Sequence, residues 1–263
     1  MTVKTMVLRA AGTNCDVETA EAFRRAGAEV ESVHINALVR GKKSLEEVQI
    51  LAIPGGFTYG DDIAAGKILA NELRHNLTAS IQRFVVEGKL VIGICNGFQV
   101  LVKAGLLPDP NGEEGTQPVT LGWNDSGRYE DRWVYLKPAS HSPCVFTNGL
   151  EKILYYIPVA HAEGKFVPRD EDVLRKLEEN GQIVFRYVNE QGEPAGYPWN
   201  PNGSVGHVAG LCDPTGRIFG LMPHPERHMF PTQHPHWTRK GLKEKGDGMV
   251  IFENAVQYVR EHL

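Results

Sequence analysis

Residues 90–107, LVIGICNGFQVLVKAGLL, decide how this chain folds. Leu90 to Ile94 form an apolar run of strand length, after which Phe98, Leu101, Val102, Gly105 and Leu106 recur at helical spacing. Cys95 stands at the junction, with Gly93 two positions before it and Gly97 two positions after. A strand-to-helix turn this sharp crowds the backbone on both sides, and residues without a Cβ relieve the crowding. The thiol also falls at a helix N-terminus, where partial positive charge and unpaired N–H groups favour the thiolate. The spacing predicts a nucleophile elbow.

A cysteine nucleophile for acyl transfer needs a base, and the base needs an acceptor to orient it. Residues 220–227, GLMPHPER, supply both, with His224 and Glu226 two positions apart and Pro223 and Pro225 holding the backbone extended. In an extended strand, residues two apart share a side. Glu226 is therefore expected to take one imidazole nitrogen and leave the other for Cys95. Residues 50–60, ILAIPGGFTYG, are an apolar run ending in paired glycines, whose peptides can turn their N–H groups into a cavity. A tetrahedral oxyanion requires such donors, and the N–H groups of Gly56 and Asn96 are the expected pair.

Outward from these motifs, strand runs at 3–9, 29–34, 49–53 and 90–94 alternate with helical stretches such as 16–27 and 76–87. That alternation predicts an α/β fold with a mostly parallel central sheet and flanking helices. From about residue 118 the runs shorten, at 132–137, 183–188, 205–212 and 217–221, and NPNG, DPTG and NEQG turns separate them. These read as antiparallel additions in the C-terminal half. A helical run at 248–261 follows, and no linker or repeat marks a boundary, so residues 1–263 read as a single domain.

The 28 basic and 32 acidic residues leave a formal net charge of −4, which argues against a nucleic-acid surface as the main function. No apolar stretch has the length of a membrane span, and residues 1–12 lack the apolar run of a signal peptide, so a cytoplasmic protein is expected. The cysteines at 15, 95, 144 and 212 form no C-x-x-C pair and read as reduced thiols. Residues 60–68, GDDIAAGKI, miss the phosphate-loop spacing by one residue and carry Ile68 where that loop needs Ser or Thr. His224, His228, His234 and His236 are interrupted by prolines and lack ligand spacing, so no metal is expected. His161 and Glu163, in AHAEGKF, read either as a loop approaching a ligand or as a solvated turn.

The elbow, the double glycine and the His-x-Glu, in this order, resemble the class I (triad) glutamine amidotransferases, a flavodoxin-like family. Residues 13–30 (TNCDVETAEAFRRAGAEV), 53–68 (IPGGFTYGDDIAAGKI), 93–108 (GICNGFQVLVKAGLLP) and 202–230 (NGSVGHVAGLCDPTGRIFGLMPHPERHMF) are similar, within that family, to the glutaminase subunits of phosphoribosylformylglycinamidine synthase. The resemblance runs from Val3 to about Val259. It implies that Cys95 attacks the carboxamide carbon of glutamine, that His224 serves as base and then acid, and that Glu226 orients the imidazole. Phe57 and Gln99 are then expected to shape the glutamine pocket. It also implies that the chain carries no cofactor of its own. The ammonia would go to an ATP- and Mg-dependent synthase subunit, with a small accessory subunit in the complex, for purine biosynthesis. The alternatives are a glutaminase serving another synthase, or a Cys-dependent peptidase or chaperone-type α/β protein. Residues 109–135 and 230–246 form longer stretches than the compact bacterial subunits have, and 230–246 is more similar to the tail of the long single-chain synthases.

Overall fold

A computed structural model describes residues 2–112, 116–150 and 154–263. Its strands are β1 (Lys4–Arg9), β2 (Glu29–His34), β3 (Ile50–Ile53), β4 (Leu90–Ile94), β5 (Val119–Trp123), β6 (Glu130–Pro138), β7 (Tyr155–His161), β8 (Glu163–Pro168), β9 (Ile183–Val188), β10 (Val208–Cys212) and β11 (Ile218–Leu221). The helices are α1 (Asp16–Arg25), α2 (Ile35–Val39), α3 (Lys67–Asn76), α4 (Thr78–Val86), α5 (Asn96–Lys103), α6 (Glu171–Glu179), α7 (Trp237–Lys240) and α8 (Met249–His262). No described helix is long and apolar enough to cross a membrane.

One nine-stranded sheet runs in the order β2-β1-β3-β4-β11-β10-β9-β6-β7, and β5 pairs with β8 apart from it. Strands β2, β1, β3, β4 and β11 are mutually parallel. Every residue of β3 and β4 is buried, as expected of a parallel sheet covered on both faces. Helix α5 packs over β3, β4 and β11, while α1 and α8 meet through Phe23 and Phe252, whose rings lie edge to face at 5.0 Å. From β10 onward the pairing is antiparallel, which matches the expected change of pattern.

One local expectation needs correction. Residues 217–221 are not an antiparallel addition: β11 runs antiparallel to its hairpin partner β10, and therefore parallel to β4. The DPTG turn makes this reversal, because the buried Asp213 carboxylate accepts from the backbone N–H groups of Thr215, Arg217 and Ile218 and from the Thr215 hydroxyl. The helix expected at 76–87 is α4, and α3 abuts it at Leu77, where φ −128 and ψ 6 leave the helical region. Strand β7 is not apparent from apolar runs because Pro158 interrupts it. It lies at the edge of the sheet, where a missing N–H is tolerated.

The close approach of α5 to the sheet rests on glycines. A Cβ on Gly97 would stand 1.9 Å from the Ile53 carbonyl oxygen, and one on Gly93 would stand 2.6 Å from the Gly97 carbonyl group. Gly97→Ala is therefore expected to cost about 3 kcal/mol or more, since backbone must move to admit it. Gly122→Ala, where the space is open, should stay within about 0.5 kcal/mol of the parent. Urea unfolding midpoints of the two variants measure the contrast.

Candidate active site

In open α/β sheets, ligands bind beyond the carboxyl ends of the parallel strands. Four such ends converge here, from β1, β3, β4 and β11, and they deliver Cys15, the double glycine, Cys95 and His224 in turn. Cys95 has φ 52 and ψ −105, a backbone state that a residue with a Cβ adopts only at a cost of about 1–3 kcal/mol. Its N–H donates to the Leu221 carbonyl at 2.8 Å, and its Sγ lies 3.7 Å from the Ala160 carbonyl oxygen. Gly55 sits among the converging side chains. A Cβ there would come within 2.8 Å of His224 Cε1, 3.2 Å of Cys15 Sγ and 3.4 Å of Cys95 Cβ.

His224 Nδ1 donates to Glu226 Oε1 at 2.6 Å, with both residues fully buried. The local geometry differs from the extended strand that the prolines predict. His224 has φ −106 and ψ 87, and Pro225–Arg227 close into a 3-10 turn, because proline has the φ of a first helical position. The turn brings Glu226 back beneath the ring, and among the described residues no nitrogen or oxygen pairs with His224 Nε2, which leaves Cys95 as its neighbour. Burial opposes a charge on His224. The Glu226 carboxylate, Cys95 and Cys15 outweigh it and hold the imidazole well above the usual histidine range.

The N–H groups of Gly56 and Asn96 donate to no other group among the described residues. Gly56 has φ 148, and a Cβ on it would meet the Asn14 nitrogen and the Gly12 oxygen at 2.8 Å, so only glycine suits the position. The Asn96 side chain ties the elbow to the following loop. Its Oδ1 accepts from the Thr58 N–H at 3.2 Å and the Thr58 hydroxyl at 2.7 Å. Its Nδ2 donates to Asp61 Oδ1 and Gln99 Oε1 at 3.1 and 2.9 Å. Tyr59, Gly60 and Asp61 all have positive φ, which gives the FTYGDD motif its sharp course.

Phe57 is 43% exposed at the rim, with its ring 6.3 Å from that of Tyr129. Gln99 is buried and engaged at both amide ends, since its Nε2 donates to the Glu163 carbonyl at 2.5 Å. It braces the turn between β7 and β8. That turn carries His161 and Glu163, and His161 is buried against Gly164 rather than solvated.

Several residues at the site are not evident from the sequence. Cys15 caps α1 with its Sγ 3.9 Å from His224 Nδ1, and Arg227 Nη2 donates to that sulfur at 3.0 Å. Burial raises the Cys15 thiol above its ordinary pKa. Only its position in the TNCD run marks it. Asn124 and Tyr129 come from the long 109–135 stretch, of which 113–115 lie outside the described residues. In the 230–246 stretch, His234 packs on Tyr156 at 5.2 Å and on His228 at 5.7 Å, an aromatic cluster that also takes in Trp133. Lys67 begins α3, in the stretch that misses the phosphate-loop pattern.

Residues 2–259 match the CobB/CobQ-like glutamine amidotransferase domain. A Dehalococcoides mccartyi protein named phosphoribosylformylglycinamidine synthase subunit PurQ is 52% identical, over 98% of this chain and 98% of its own length. The protein of the same name from Methanococcus maripaludis is 45% identical over 97% of each chain. Among solved structures, a chain of PurLQS from Thermotoga maritima superposes with a TM-score of 0.74 at 30% identity, covering 98% of this chain and 100% of that one. The chain belongs to the CobB/CobQ-like glutamine amidotransferases and is of the PurQ type.

Proposed function

We propose that this chain is the glutaminase subunit of a phosphoribosylformylglycinamidine synthase. It releases ammonia from glutamine for the ATP-dependent conversion of formylglycinamide ribonucleotide to formylglycinamidine ribonucleotide in purine biosynthesis. It works in the cytoplasm beside a synthase subunit, where ATP and Mg act, and a small accessory subunit. The continuous nine-stranded sheet supports reading the chain as one amidotransferase domain. The observation that carries the catalytic reading is the strained backbone of Cys95, next to a buried His224–Glu226 pair and two unpartnered peptide N–H groups.

In this reading Cys95 attacks the carboxamide carbon, and the oxyanion settles on the N–H groups of Gly56 and Asn96, each donor contributing about 3 kcal/mol. His224 gives its proton to the departing nitrogen and then draws one from the water that hydrolyses the thioester. Glu226 holds the ring and offsets its charge. Phe57 covers the methylene stem of glutamine. Gln99 shapes the pocket through the Glu163 backbone that it holds. Free ammonia is mostly protonated at neutral pH and poorly nucleophilic, so the partner must receive it shielded from water.

Cys95→Ala should abolish glutamine-dependent synthesis by the assembled complex while ammonia-dependent synthesis survives. Equal loss of both would defeat the division of labour. A glutamine analogue with an electrophilic diazo-ketone carbon should label Cys95 and leave Cys15, Cys144 and Cys212 unmodified, as peptide mass spectrometry can establish. Glu226→Gln removes the charge that supports protonated His224. The His224 pKa, followed by NMR, should fall, and turnover should drop by less than in His224→Ala. An unchanged His224 titration would rule out the electrostatic role of Glu226.

A further inference from the structure

His161 is a second buried histidine, near enough to His224 to feel its charge, and the mechanism above does not use it. It ends β7 and is 3% exposed. The preceding residue, Ala160, offers the carbonyl oxygen that approaches Cys95 Sγ at 3.7 Å. The ring packs against Gly164, where a Cβ would stand 2.5 Å from Cε1 and Nδ1, so the glycine is what seats the imidazole.

The hydrogen-bond network fixes its tautomer. Asn124 Nδ2 donates to the carbonyl oxygens of Arg128 and His161 at 2.9 and 2.8 Å. The Asn124 amide is thereby oriented with Oδ1 toward His161 Nδ1 at 3.1 Å. An amide oxygen only accepts, so Nδ1 carries the proton and Nε2 presents a lone pair. Burial, with His224 nearby, pushes the His161 pKa to about 3, which keeps the ring neutral at physiological pH.

That lone pair has no partner. Buried side-chain atoms without one are few among the described residues, and three of them are His161 Nε2, His224 Nε2 and Glu226 Oε2. An orphaned acceptor is costly to bury, so His161 Nε2 points to a donor that arrives with the substrate. The reaction supplies such a donor. Once Cys95 has added to the carboxamide, the nitrogen keeps two N–H bonds and holds a lone pair that must face His224.

We propose that His161 Nε2 accepts an N–H of the glutamine carboxamide and of the departing ammonia, turning the nitrogen lone pair toward His224. The role rests on Cys95 and His224 acting as read above. When the tetrahedral intermediate collapses, the proton on His224 Nε2 passes to the nitrogen, the C–N bond breaks, the thioester carbonyl re-forms and ammonia leaves. His161 takes no proton at any stage. Its low basicity keeps it from competing with the nitrogen for the proton from His224.

The test compares glutamine with glutamate γ-methyl ester, whose leaving group has no N–H, as substrates of the full synthase complex. In His161→Phe, kcat/KM for glutamine should fall at least about tenfold, or about 1.4 kcal/mol, while the ester stays within about threefold. His161→Gln, which restores an acceptor oxygen, should recover part of the loss. Equal losses for both substrates, or no loss for glutamine, would overturn the proposal. Should His161→Phe fail to fold, 15N NMR of the Cys95→Ala complex takes its place. The His161 Nε2 resonance should shift on adding glutamine and not on adding the ester, and a resonance unmoved by glutamine overturns the proposal. Persistent glutamine hydrolysis in Cys95→Ala would refute the nucleophile itself, an outcome separable from either result at His161.

Discussion

The contact of the α5 backbone with the carboxyl end of β3 is the constraint on which this molecule depends. The helix can begin directly after β4 only if it lies against Ile53, and Gly97 makes that possible by having no side chain to place there. The same contact forces Cys95 into a backbone conformation that an unsupported residue would leave. Such strain persists only where the surroundings over-determine it. Here the buried β3 and β4 and the hydrogen bond from Cys95 to Leu221 of β11 do so. One steric fact thus fixes the helix position and the strained backbone of Cys95 at its start.

Electrostatics builds on that frame. A buried carboxylate against a buried imidazole is expensive unless each neutralises the other, and the 2.6 Å contact between Glu226 and His224 provides the compensation. The outcome is a histidine biased toward its charged form beside a cysteine, in contrast to the neutral His161 at the end of β7. Two imidazoles buried to the same degree thus differ in charge because one faces a carboxylate and the other an amide oxygen.

The loop of residues 57–61 shows how the parts are joined. Asn96, the first residue of α5, holds Thr58 and Asp61 through its side chain while its own N–H stays unpartnered. Movement of the loop and movement of the elbow are therefore linked by hydrogen bonds. Gln99 extends the link to Glu163, so the β7–β8 turn carrying His161 belongs to the same web.

Four of the five parallel strands, the elbow and the pairing of His224 with Glu226 are legible in the sequence. In these places the information is local: apolar runs, glycines at fixed offsets from Cys95, and prolines around a histidine. Even there, the sequence does not reveal the means by which His224 meets Glu226, because a proline that favours extension before it also starts a tight turn after it. Tertiary structure alone decided the rest. Cys15, Asn124 and His161 lie far apart along the chain, and nothing in their neighbours says that Cys15 reaches His224 or that Asn124 reaches His161. The direction of β11 likewise depends on the reversal at Asp213 and not on its own apolar run. Periodicity records which face of an element is buried. It does not record which other element covers that face, and the polar contacts of this site all cross between elements.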